Sequence, residues 1–141
     1  MRLFKLLVLQ LVLFMTSTAV TASNEGEGKE FDWTPVMDAI IQVESKGNPK
    51  AVSGQYVGAM QISPVCVREC NNILKRRGSN KRFTLNDRYC ESKSREMFVV
   101  IQSYHNPMNN VEKAIRAWNG GNHYNVAKTQ KYFNKVRHYM K

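Results

Sequence analysis

Apolar stripes at helical spacing, each closed by a recognisable stop, constrain this chain more than any bulk property. Thr34-Pro35 reads as an N-cap followed by proline at the first helical position. Val36, Met37, Ile40, Ile41 and Val43 then predict a helix to about Ser45, which Gly47 can end. Ser63-Pro64 starts a second helix running to about Lys75. Residues 91–106 predict a third, with Met97, Val100, Ile101 and Tyr104 on one face and a stop at Asn106-Pro107. Val111, Ala114, Ile115 and Trp118 mark a fourth, ended by Gly120-Gly121. Thr129, Tyr132, Phe133, Val136, Tyr139 and Met140 mark a fifth. Residues 48–62 hold Gly, Pro, Ser and short apolar stretches, which argue for loop with at most a strand fragment. There is no repeat and no long alternating run, so the expected fold is mainly α or α+β.

At 141 residues the chain is long enough for one domain and too short for two well-cored ones. Residues 1–22 have the pattern of a secretory signal peptide. MRLFK is basic, LLVLQLVLFM is apolar, and TSTAVTA supplies small residues, with cleavage expected after Ala22 in preference to Ala19. The apolar run is too short to span a membrane. Residues 23–33 read as a flexible lead-in to a domain over 34–141. Removing residues 1–22 takes away Arg2 and Lys5 and no acid, so the net charge falls from +10 to +8. Such a protein is expected in the periplasm or at the cell surface, without stable membrane insertion. It should favour anionic wall material over nucleic acid. The densest basic run, KRRGSNKR at 75–82, reads as a solvated loop. Cys66, Cys70 and Cys90 are compatible with one disulfide or with none, and their spacing does not suggest zinc.

One residue breaks the pattern. Met37, Ile41 and Glu44 share a helix row, which puts a carboxylate at the end of a core-facing stripe. An acid in that position with no obvious partner is costly unless it has a salt bridge or a chemical role.

The segments VESKGNPKAVS, VGAMQISP, AIRAWNGG and TQKYFNKV resemble, in that order, the motif series of the soluble lytic transglycosylases. These are lysozyme-like enzymes related to goose-type lysozymes. One such motif is weak evidence; four in order over residues 34–140 are strong. The resemblance implies a compact helical domain with a groove and a very small β element. It carries the role of catalytic acid to Glu44. It assigns substrate contacts to Ser45, Met60, Gln61 and Asn119, and places a tyrosine hydroxyl, that of Tyr132, near the acid. Tyr56 is a candidate for stacking on a sugar. The chain departs from the family at Ala59, where leucine is usual, and at Trp118, where tyrosine is usual. The stretch from Ser53 to Gly58 is also one residue shorter.

Cleavage of a glycosidic bond ordinarily uses two carboxylates. The resemblance implies one. The substrate's own 6-hydroxyl attacks C1 of N-acetylmuramic acid and leaves a 1,6-anhydro end. Burial would keep Glu44 protonated for the first step. The implied substrate is the glycan strand of peptidoglycan, cut at the β-1,4 bond to N-acetylglucosamine by a monomer without cofactor or metal. Small single-domain members can serve an envelope-spanning secretion or conjugation machine. The rivals are a water-using muramidase, which would need a second carboxylate such as Glu69, Asp87 or Glu91, and a silent peptidoglycan-binding protein. Those three acids read as surface or salt-bridging residues, Trp118 as core, and His105, His123 and His138 as surface histidines.

Overall fold

A computed structural model describes residues 30–140. The expected leader and most of the lead-in lie outside the described residues. The elements are α1 (Thr34–Ser45), β1 (Val52–Ser53), β2 (Tyr56–Val57), α2 (Pro64–Arg76), a 3-10 turn (Leu85–Tyr89), α3 (Glu91–His105), α4 (Val111–Gly120) and α5 (Val126–Tyr139). The domain is mainly α with a two-strand sheet, compatible with a compact lysozyme-like fold. No helix among the described residues is long and apolar enough to cross a membrane.

The predicted stripe of α1 is the centre of the core. Val36, Met37, Ala39, Ile40 and Ile41 are all buried. Complete burial of a side chain such as Ile40 contributes roughly 1.5–3 kcal/mol. Helix α1 packs on α5 and α4, α4 packs on α5, and α2 pairs with α3. Ile40, Met60, Phe98, Ile115 and Val136 meet in one cluster.

Helix α1 ends at Ser45 as expected, but its start differs. Thr34 lies inside the helix, and its N–H donates to Asp32 Oδ1 at 2.9 Å. Trp33, expected in the flexible lead-in, is buried and packs edge-on against Phe98, with ring centroids 5.5 Å apart. An indole buries more apolar area than a threonine cap, so the folded part starts upstream of Thr34. At the other end Lys46 takes a left-handed φ of 53° ahead of Gly47. Helix α2 begins as expected, with Ser63 Oγ accepting from Cys66 N–H at 3.2 Å, a cap worth about 1 kcal/mol.

The 3-10 turn was not legible as more than loop. Thr84 and Asp87 cap it reciprocally, the Asp87 carboxylate accepting from Thr84 N–H at 2.7 Å. Behind it Arg88 is buried, donating to the carbonyls of Leu85, Gln55 and Ile62 at 2.9, 3.0 and 3.2 Å. Gly58 passes so close that a Cβ there would lie 1.8 Å from the Arg88 carbonyl oxygen. Arg88 and Gly58 together fix the hairpin against this turn. The predicted face of α3 is also shifted: Ser94, Met97, Phe98 and Gln102 are buried, whereas Tyr104 is 42% exposed. Tyr104 carries cations instead of core, with the Arg76 guanidinium 5.5 Å from its ring. Tyr139 of α5 is likewise exposed.

Candidate active site

Glu44 occupies the last turn of α1, on the side that meets α5. Tyr132 of α5 donates its hydroxyl to Glu44 Oε1 at 2.7 Å. The position of that hydroxyl depends on the register of α5, which Arg116 of α4 sets. Arg116 is 3% exposed; it bonds Glu112 Oε1 on its own helix and reaches Val126 O, Thr129 Oγ1 and Gln130 Oε1 at 2.8–3.1 Å. Its guanidinium also lies 4.4 Å from the centroid of the Phe133 ring. The turn of α5 that precedes Tyr132 is thereby locked to α4.

Burial pushes the Glu44 carboxyl above the ordinary carboxylate range, and the hydrogen bond from Tyr132 draws it partly back. The Tyr132 hydroxyl is itself pushed well above the usual phenol range, by burial first and then by Glu44. No cation among the described residues forms an ion pair with Glu44. A partly desolvated carboxyl with one neutral donor favours its protonated form more than a free carboxyl does, and that form can deliver a proton to an ether oxygen.

Nearby lies a cavity of about 480 Å³, lined among others by Tyr56, Gln61, Glu69, His105, Trp118 and Asn119. Glu44 and Tyr132 do not line it. The segment 59–61 touches both places. Ser45 Oγ donates to Ala59 O at 2.7 Å, Trp118 Nε1 donates to Met60 O at 3.1 Å, and Gln61 faces the cavity. One wall is a polar chain: His105 Nε2 is 2.9 Å from Glu69 Oε1, and Asn122 Nδ2 is 3.3 Å from His105 Nδ1. An amide donor at Nδ1 leaves the ring proton on Nε2, aimed at Glu69.

The residues singled out in the sequence fall into three groups. Glu44 and Tyr132 come together. Tyr56, Gln61 and Asn119 line the cavity, and Trp118 does so while also packing on Phe98 at 5.1 Å. Asn119 is exposed inside the last turn of α4, and the C-cap is Gly121, so capping does not occupy its amide. The Gln61 amide donates to Ala51 O and Gly58 O at 3.2 and 3.0 Å, so it braces the loop it sits in. Met60 is completely buried and presents no surface to a ligand; its place is in the core. Ser45 spends its hydroxyl on Ile41 O and Ala59 O, which makes it a brace for the segment after the hairpin.

One histidine differs from expectation, while Glu69 is salt-bridging as expected. His105 is part-buried in the cavity wall rather than at the free surface, and Glu69 faces the same cavity. Their spacing along the chain carries no signal, because α2 and α3 bring them together. Asp87 caps the 3-10 turn and Glu91 pairs with Arg95 at 2.9 Å, as bland surface acids do. All three cysteines are free; Cys66 lines the cavity and Cys70 is buried.

No curated protein and no solved structure matches the chain. The family model "Transglycosylase SLT domain" matches residues 21–139. With that match over most of its length, the chain belongs to the transglycosylase SLT domain family, whose function is in general lytic transglycosylase-type cleavage of glycosidic bonds in peptidoglycan.

Proposed function

We propose that the protein is an exported lytic transglycosylase that cuts the β-1,4 bond between N-acetylmuramic acid and N-acetylglucosamine, with Glu44 as its only acid and base. The observation that carries this is the 2.7 Å bond from Tyr132 to a part-buried Glu44 that pairs with no cation among the described residues. Glu44 protonates the bridging oxygen as the C1–O bond breaks. The muramic 6-hydroxyl then attacks C1, and the Glu44 carboxylate takes the hydroxyl proton, which returns the enzyme to its starting state. The nucleophile is tethered to the substrate, so proximity replaces a second carboxylate. Tyr132 orients the acid. Tyr56, Gln61 and Asn119 are proposed to hold the glycan strand along the cavity.

One observation favours a second reading. Glu69 opens on the cavity, and a hydrolase would use it to activate water. Mass spectrometry of the products released from purified peptidoglycan separates the two. Anhydro-muropeptides from the wild type, lost in Glu44→Gln and kept in Glu69→Gln, are the expected result. Reducing-end products that vanish in Glu69→Gln would replace the proposal with a muramidase. Binding without any release would make this a wall-binding protein.

A further inference from the structure

The basic run 75–82 is largely exposed, as its composition suggests, yet two of its arginines are held in place. Arg76 closes α2, and its Nη1 donates to Tyr104 Oη at 3.2 Å. Arg77 Nη1 donates to Ser103 Oγ at 3.0 Å. Both guanidinium groups lie against the Tyr104 ring, 5.5 and 6.0 Å from its centroid. Two arginines are thus pinned to one face of α3 by neutral groups only. Among the described residues no carboxylate pairs with either. Glu96 of α3 is already taken by Lys81 and Lys93, and Glu69 of α2 by His105. Their charge is therefore uncompensated, and part of the entropy cost of ordering them is already met in the free protein.

The location gives this patch a use. The Tyr104 ring stands edge-on to His105 with centroids 4.9 Å apart, and His105 lines the cavity. Arg76 and Arg77 do not line the cavity, and the Tyr104 ring stands between them and the cavity-lining His105. A ligand lying in the cavity and bearing a short anionic branch would bring that branch to them. A peptide of even three residues reaches roughly 10 Å when extended.

We propose that Arg76 and Arg77, mounted on Tyr104, form a binding site for the carboxylates of peptide stems carried by the glycan strand, so that the protein prefers peptide-bearing over naked glycan. This rests on the cavity holding the strand, as proposed above. The guanidinium fork matches a carboxylate in two-point geometry. Because the stem is attached to a strand already bound, the second contact is effectively intramolecular and adds to affinity rather than to the chemical step. An anionic membrane surface suits the patch less well, since Tyr104 is its one exposed apolar group and already lies against both guanidiniums.

The test compares steady-state cleavage of two substrates, glycan strands with intact stems and the same strands stripped of peptide by an amidase. For wild type the expected KM is lower on peptide-bearing strands, and the difference shrinks as salt is raised. In Arg76→Gln/Arg77→Gln the KM on peptide-bearing strands should rise about three- to tenfold, with kcat and the KM on naked strands unchanged. Tyr104→Phe, which keeps both charges but removes one anchor, should lose part of the preference. Lys128→Gln/Lys135→Gln removes the same charge from α5 and should lose none. Equal loss in this control would overturn the site in favour of general charge attraction. An unchanged KM in the arginine variant, with its thermal midpoint intact, would overturn it outright. Either outcome leaves anhydro products from naked strands as independent support for the proposed function, whereas no product from any substrate would remove that function itself.

Discussion

Glu44 and Glu69 are two carboxylates on neighbouring parts of one small domain, and their surroundings differ. Glu44 ends α1 part-buried and partly desolvated, bonded to a phenol and, among the described residues, to no cation. Glu69 faces an open cavity and is bonded to an imidazole, which a side-chain amide holds in turn. A neutral partner and burial favour the protonated acid, while a basic partner and access to solvent suit polar recognition. In the proposed reading the domain separates proton transfer from binding, and the segment 59–61 connects the two places through Ser45 and Trp118. Four substitutions can break or sharpen this contrast.

The largest effect is expected for Glu44→Gln. It should lower kcat by about 10²- to 10⁴-fold as measured by anhydro-product release, whereas Glu69→Gln should change KM more than kcat. A kcat loss of similar size in both would end the division of labour. Next is Gly58→Ala. Its φ of +85° and the 1.8 Å approach of a Cβ to Arg88 O force the hairpin away from the 3-10 turn. A loss of about 2–4 kcal/mol in denaturant unfolding is expected. Because the hairpin precedes segment 59–61, both kcat and KM should suffer.

Tyr132→Phe is smaller and more informative. About a tenfold loss of kcat is expected from poorer orientation of the acid. The hydroxyl draws the Glu44 pKa down, so its removal lets that pKa rise. The protonated form then persists to higher pH, and the alkaline limb of the kcat profile should shift upward; a downward shift would contradict the assigned hydrogen bond. The smallest effect is on stability. A carboxyl whose pKa is raised by folding contributes most below its unfolded value near 4.5, and that contribution is lost as pH rises through the folded pKa. Glu44→Gln should therefore gain stability relative to wild type at pH 7 and lose that advantage at pH 4.

Helix number, the loop at 48–62 and the Glu44–Tyr132 pair were legible because each rests on local periodicity or on a short motif. Trp33 was misplaced because a polar, glycine-rich stretch ahead of it masked a single aromatic anchor. Arg88 and Arg116 carried no advance signal as buried residues. A buried arginine is identified by the carbonyls and side chains that meet it, and those come from distant parts of the chain or from the next helix. His105 reads as surface for the same reason: its meeting with Glu69, a salt-bridging acid as expected, is a property of how α2 lies on α3. Met60 went the other way. A motif position suggested contact with a ligand, while its apolar side chain found the core.

The indole of Trp118 lines the cavity, touches Phe98 and is hydrogen-bonded to Met60 O. The other of the chain's two tryptophans, Trp33, is buried away from solvent. The protein thus contains its own optical probe. In a Trp33→Phe background all indole emission comes from the cavity wall, and a glycan fragment that displaces water there should shift it to the blue. Occupancy of the cavity could then be titrated with an uncut ligand, independently of any bond being broken.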